Sequence, residues 1–132
     1  VHTGNAHFCG EDRVTLFDFG QCGYGWRAFE IGKFLTTMAG MKVDVAVQAD
    51  FLDGYQEIRR LEDVELEAVP AFMKVAALWV MGINIQNVDL FGAKLLNDAW
   101  FDGRIRALKE LVAPEFAFGS GQRSASENQD SL

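Results

Sequence analysis

Cysteine, basic charge and long apolar runs are all scarce in this 132-residue chain. Two cysteines, Cys9 and Cys22, allow at most one bridge. That excludes a disulfide scaffold and points to a reducing compartment, with the cytoplasm the expected location. Lys and Arg total 12 against 19 Asp and Glu, a formal net charge of −7. Such a balance excludes nucleic-acid binding through a basic face. The longest apolar run, over residues 75–82, falls well short of the ~18 residues that cross a membrane, so no membrane partner is expected. No internal repeat is visible, which excludes a solenoid or propeller. The chain opens on Val1 with no charged segment followed by an apolar one, so no signal peptide is expected. What remains, with 49% hydrophobic residues, is one ordinary globular domain.

The first twenty residues have strand character. Ala6-His7-Phe8-Cys9 and Val14-Thr15-Leu16-Phe17 are short strand-like runs, and Gly10-Glu11-Asp12-Arg13 between them carries turn chemistry. Together they predict a hairpin that ends at Asp18-Phe19-Gly20, followed by a loop containing Gly20, Gly23 and Gly25. Helical spacing then takes over. Ala28, Ile31, Leu35 and Met38 share one helix face, with Gly40 as its C-cap. Asp44 is placed to cap a second helix with the stripe Val47, Phe51, Tyr55 and Ile58, and with Arg59 and Arg60 in its last turn. A third helix starts near Asp63 and runs through Leu66, Val69, Met73, Ala76, Val80 and Ile83, its face widened by Leu78, Trp79 and Ile85. Pro70 sits awkwardly inside that helix and would better suit a first turn. A fourth helix over 93–112, interrupted at Gly103, is stopped by Pro114. The polar stretch over 119–132 has no hydrophobic pattern and is expected to be a disordered tail.

The polar residues of the hairpin carry the chemical information. Asn5 stands just before the first strand and Asp18 just after the second, so antiparallel pairing brings them side by side. An amide oxygen and a carboxylate are hard ligands that suit Mg2+, which takes one or two carboxylates together with substrate phosphates and water. Asp18-Phe19-Gly20 is also the tripeptide that positions a metal-binding Asp in kinases. One tripeptide is weak evidence alone, and its place at a strand end opposite Asn5 is what strengthens it.

These residues resemble the aminoglycoside phosphotransferase and choline kinase-like family. Its catalytic loop is written His-Gly-Asp-x-His-x-x-Asn, followed by a hairpin and then Asp-Phe-Gly or Asp-Phe-Asp. Val1-His2-Thr3-Gly4-Asn5 is similar to the second half of that loop. Gly23-Tyr24-Gly25-Trp26-Arg27-Ala28-Phe29-Glu30-Ile31 resembles the family's Gly-Tyr-Gly-x-Arg-Ala-Tyr-Asp-Ile/Leu segment, with Glu30 where Asp is usual. Phe51-Leu52-Asp53-Gly54-Tyr55 is similar to the helical C-lobe of bacterial members. The resemblance covers about residues 1–112 and is most specific over 1–35. It implies an α+β, protein-kinase-like C-lobe over 1–118, with the tail over 119–132 outside it. It also implies an ATP-dependent kinase that transfers the γ-phosphoryl to a hydroxyl of an aminoglycoside, an amino alcohol or a similar metabolite. Asn5 and Asp18 would hold Mg2+, Asn5, Asp18, Phe19 and Gly20 would bind the nucleotide, and His2 would brace the catalytic loop.

Two departures bear on activity. The family's catalytic Asp, five positions before its Asn, would fall directly ahead of Val1, and the nucleotide-binding N-lobe is not among these residues. The 132 residues alone are therefore expected to be inactive, because phosphoryl transfer rests on positioning that a lobe with only the metal ligands does not supply. Gln21 also stands where many relatives carry an acid.

Plainer readings stand beside each of these. Asn5 alone would be a turn residue bonded to its own backbone, and Asp18 a loop or cap acid. His2, His7, Cys9 and Cys22 lack the spacing of a zinc site, and His7 is expected to be a half-buried strand residue. The glycines form no dinucleotide fingerprint. Phe19, Tyr24, Trp26 and Phe29 are expected in the core, with Phe19 packed under Asp18, and Trp79 and Trp100 likewise. Asp50, Asp53, Glu57, Glu62, Asp63, Glu65 and Glu67 form either a pocket for a cationic substrate or a solvated helix face, and the face is the expected reading. The competing account of the whole is a non-catalytic helical interaction module or pseudokinase remnant. Self-association through uncovered apolar faces is expected of a partial lobe.

Overall fold

The computed structural model describes residues 3–10, 13–92 and 96–111. Over these the chain forms a two-stranded antiparallel hairpin followed by five helices, a mostly helical α+β arrangement. A 3-10 turn over Thr3–Asn5 leads into strand β1 (Ala6–Cys9). This strand pairs with β2 (Arg13–Leu16) in the register Ala6↔Leu16, His7↔Thr15, Phe8↔Val14 and Cys9↔Arg13. The second strand thus begins one residue earlier than the sequence pattern suggests. Gly10 enters the turn at φ +70°, which glycine adopts at little cost.

Side chains alternate across a strand. The register therefore puts Ala6, Phe8, Val14 and Leu16 on one face and His7, Cys9, Arg13 and Thr15 on the other. A two-stranded ribbon shelters little by itself, and every strand residue except half-buried Ala6 is exposed. His7 is accordingly exposed, against the expected half-burial.

The helical part is built around α1 (Arg27–Gly40) and α3 (Asp63–Gln86). The core contains Ala28, Ile31, Leu35 and Met38, the four positions whose spacing predicts the α1 stripe, together with Phe34. From α3 it takes Val69 and Met73. Each large side chain removed from water contributes about 1.5–3 kcal/mol. The two helices approach most closely at Gly32. A Cβ added there would stand 2.8 Å from both Met73 N and Phe72 C, which are backbone atoms of α3. One turn later the Thr36 hydroxyl lies 2.8 Å from Gly32 O and 3.0 Å from Met73 O, so it reaches across the same crossing.

Gly40 is the last residue of α1 and Met41 its cap. The stop is made by Lys42 at φ +56°, with Lys42 N–H donating to Ala39 O and Val43 N–H to Met38 O. These paired bonds satisfy carbonyls that the helix end leaves open. Asp44 then caps α2 (Val45–Ile58) as its sequence position suggests, accepting from Ala46 N–H at 2.8 Å. The expected α2 stripe is corrected. Val47 and Ile58 are exposed, Phe51 and Tyr55 half-buried, and the buried positions are Gln48 and Leu52. The cause is that α2 meets the core along an edge turned by one residue, where Phe51 stacks on Phe34 with ring centroids 3.5 Å apart. Arg59 and Arg60 lie past the helix end rather than in its last turn.

Helix α3 begins at Asp63 with a capping box, in which the Glu62 and Glu65 side chains each bond the other's backbone. Pro70 lies inside α3, not in its first turn, and is exposed. A proline there withholds one N–H from the ladder, and the packing of Val69 and Met73 on either side holds the helix through it. Among the described residues α3 is long and apolar enough, by length and composition, to cross a membrane, although the run over 75–82 alone is not. Its Val69, Met73 and Ala76 are buried, whereas Leu78, Val80 and Ile85 are exposed rather than part of the core stripe.

The expected helix over 93–112 corresponds to α5 (Asp98–Glu110), which passes through Gly103 without a break, while a short helix not expected from the sequence, α4 (Val88–Phe91), precedes that range. Trp79 and Trp100 are half-buried. Pro114, the boundary at 118 and the stretch over 119–132 lie outside the described residues.

Candidate functional site

The hairpin ladder continues one step beyond its last strand pair, through Phe17 N–H donating to Asn5 O at 3.1 Å. Asn5 therefore sits opposite Phe17, and the next residue, Asp18, is delivered beside it. Asp18 adopts φ +61°, a left-handed conformation that few non-glycine residues take and that Asp tolerates better than most. The result is that Asn5 Nδ2 and Asp18 Oδ2 stand 3.5 Å apart, across thirteen positions of sequence. A tight turn follows, closed by Cys22 N–H donating to Phe19 O at 3.0 Å. Asn5 is half-buried and Asp18 exposed.

The donor chemistry of this pair fits Mg2+. With its amide turned over, Asn5 would put an oxygen beside the Asp18 carboxylate, two hard ligands of the kind Mg2+ takes together with phosphates and waters. Among the described residues no three His, Cys, Asp or Glu side chains converge into a metal cluster.

Of the other expected site residues, Gly20 lies within the turn over 19–22. A Cβ added there would meet Asp18 Oδ1 at 3.8 Å, an ordinary contact, so space alone does not demand glycine. His2 lies outside the described residues. Phe19 is 60% exposed and does not pack beneath Asp18 as expected. Tyr24 and Trp26 are exposed as well, so three of the four aromatics read as core are on the surface, and Phe29 alone is half-buried. The reason is that the loop over 17–26 has no layer of described structure above it. Trp26 keeps one ring contact, with Phe72 at 5.8 Å, and Phe29 meets Phe72 and Trp79 edge-on.

The acidic residues of α2 and α3 are exposed on solvated helix faces, as expected, with the exception of Glu65. Its carboxylate takes Arg27 in a bidentate grip, Nε to Oε1 at 2.8 Å and Nη2 to Oε2. Arg27 Nη1 also donates to Arg60 O at 3.0 Å, and Glu65 Oε2 accepts from Glu62 N–H. Hydrogen bonds to charged groups contribute about 1.5–3 kcal/mol when sheltered. This clamp went unrecognised in the sequence, although the Glu62 to Glu65 spacing of a capping box was there to be read. Nearby, the Tyr55 hydroxyl is held above its ordinary pKa of 10.0, first by burial and then by Glu30, with Arg27 and Arg59 opposing.

The hairpin thus brings an Asn and a left-handed Asp together at its open end and passes through a glycine-containing loop into the helical unit. The phosphotransferase enzyme family model matches residues 1–66, half of the chain, and the chain belongs to that family. The match spans the Asn5–Asp18 pair, the loop, α1, α2 and the first turn of α3. The chain is 37% identical over 87% of its length to the uncharacterized protein sll1119 of Synechocystis sp.. It is 32% identical over 83% of its length to an uncharacterized protein of Deinococcus radiodurans. It spans 32% and 33% of those two proteins, about a third of the length of the curated relatives it matches. No solved structure matches the chain.

Proposed function

We propose that these residues form the metal-holding part of an ATP-dependent small-molecule kinase with a protein-kinase-like fold, residues 1–118 belonging to its C-terminal lobe. The observation that carries this reading is the convergence of Asn5 with Asp18, the latter held at φ +61°. Backbone outliers of this kind concentrate at functional sites because the surroundings must hold them in place.

In this account Asn5 and Asp18 hold Mg2+ on the nucleotide phosphates, and Phe19 and Gly20 form the turn that presents Asp18. When bound, Mg2+ offsets negative charge on the phosphoryl group being transferred. The Asp18 carboxylate would supply the protein's charge to that site, and Asn5 beside it would supply a neutral oxygen. His2 braces the loop ahead of Asn5. The acceptor is a metabolite hydroxyl, and an acid outside these 132 residues takes its proton, so the isolated chain is inactive. The two free, exposed thiols of Cys9 and Cys22 suit a reducing cytoplasm. The exposed apolar hairpin face of Phe8, Val14 and Leu16 favours self-association of the isolated chain.

The test is ATP binding by the product of the full reading frame, titrated with Mg2+. Binding should require the metal, and Asp18→Ala should weaken it on the order of tenfold or more. Metal-independent binding, or an unaffected Asp18→Ala variant, would remove the basis of this reading.

A further inference from the structure

The loop over 17–26 joins the Asn5–Asp18 pair to the helical unit, and it is tethered at its two ends by different means. At the hairpin end, Phe17 N–H is bonded to Asn5 O. At the helical end, Arg27 is the first residue of α1, and its guanidinium grips two other pieces of chain at once. Nε and Nη2 hold the Glu65 carboxylate in the first turn of α3, and Nη1 donates to Arg60 O in the connection from α2. Trp26, the residue before it, adds its ring contact with Phe72 of α3. Among the described residues the hairpin packs extensively on none of the helices. The orientation of the metal pair relative to α1 and α3 is therefore set through this tether rather than by a shared core.

We propose that Arg27 and Glu65 are positioning residues for the metal site, fixing the helical end of the Asp18 loop so that the Asn5–Asp18 pair faces the nucleotide in one orientation. The idea rests on the Mg2+ reading above and extends it to two residues that touch neither metal nor nucleotide. The clamp is suited to the task. A bidentate Arg–carboxylate pair fixes direction as well as distance, and both side chains are only 21% exposed. Arg27 spends a third N–H on a backbone oxygen, so the grip survives side-chain motion at Arg60. Lysine does not replace this geometry, since its ammonium is a point charge without the planar fork.

The experiment measures Mg2+-dependent ATP binding by the product of the full reading frame, in unaltered protein and in Arg27→Lys, Arg27→Gln and Glu65→Gln. Glu65→Gln retains an oxygen for Glu62 N–H, so it loosens the clamp while leaving the capping box of α3 in place. The expected result is a rise in the Mg2+ concentration for half-maximal ATP binding of about three- to tenfold, the equivalent of a modest loss of binding free energy. Arg27→Lys should fall between the unaltered protein and Arg27→Gln. The saturating amount of ATP bound per folded protein should stay unchanged. A purely structural role would instead lower the melting temperature and the folded fraction without moving the Mg2+ midpoint, and that outcome overturns the proposal. So does failure of the variants to fold. Unaltered protein that binds ATP with no Mg2+ dependence overturns the metal reading as well. Normal dependence in the unaltered protein with identical midpoints in all three variants overturns the clamp alone.

Discussion

Gly32→Ala is the most informative single perturbation of the helical unit, because two physical effects act on it with opposite sign. In a helix interior alanine is favoured over glycine by about 0.8–1.0 kcal/mol. Gly32 lies inside α1, so propensity alone predicts a more stable protein. The added methyl, however, would stand 2.8 Å from Met73 N and from Phe72 C, well inside van der Waals contact. Those atoms belong to the backbone of α3 and have no rotamer to change. The helices must separate by several tenths of an ångström along the crossing that buries Ile31, Leu35 and Met73. Overpacking of this kind costs about 1–3 kcal/mol. Taken with the propensity gain, the net expectation runs from near neutral to a loss of about 2 kcal/mol. Gly82 in α3 and Gly54 in α2 provide the controls, since nothing lies within 4 Å of a Cβ added at either position. Gly82→Ala and Gly54→Ala should each stabilise by close to the full propensity gain. Urea denaturation of all three variants at one temperature gives the comparison. A Gly32→Ala variant stabilised as much as Gly82→Ala would refute the close crossing of α1 and α3.

Two further predictions follow from local chemistry. Tyr55 is held above pKa 10.0 by burial and by Glu30, so its neutral form is preferred in the folded protein. Its contribution is fully present below pH 10 and is lost as pH rises through the folded value. Tyr55→Phe should flatten the alkaline fall of melting temperature, and an unchanged fall would count against burial of this hydroxyl. At Gly20, where an added Cβ meets only Asp18 Oδ1 at ordinary distance, Gly20→Asp should be accommodated and place a second carboxylate beside the first. The variant is expected to bind Mn2+ more tightly than the parent in the absence of nucleotide. Weaker binding, read by calorimetry, would mean that the turn aims residue 20 elsewhere.

The parts of the fold governed by local rules were legible in the sequence. Alternation and turn residues gave the hairpin to within one position, three-and-four spacing gave the α1 stripe, and Asp44 gave the start of α2. The approach of Asn5 to Asp18 was legible for the same reason, since antiparallel pairing alone brings the two together. What escaped depended on the rotation of one element against another. On α2 the buried pair proved to be Gln48 and Leu52, because a helix packed along its edge exposes part of its apolar stripe. Gln48 is an unlikely choice for a core by composition. It is retained by donating from Nε2 to Val43 O at 2.9 Å, while its Oε1 has no partner among the described residues. Phe19, Tyr24 and Trp26 look like core residues by type, yet burial depends on what lies over a loop. The Arg27–Glu65 clamp was hidden because its members are far apart in sequence and each also fits a plain surface role. Pro70 misled in the other direction, since the packing of α3 on α1 carries the helix through a residue that local rules place at its start.

We propose that Asn5 and Asp18 share one divalent cation with a nucleotide, a claim that paramagnetic broadening reads residue by residue. Mn2+ added in substoichiometric amounts with ATP to 15N-labelled full-length protein should bleach the Asn5 side-chain amide and the backbone resonances of residues 17–20. Asp18→Asn should abolish that pattern. Broadening centred on the exposed acids of α2 and α3, with Asn5 and residues 17–20 left sharp, would contradict the claim.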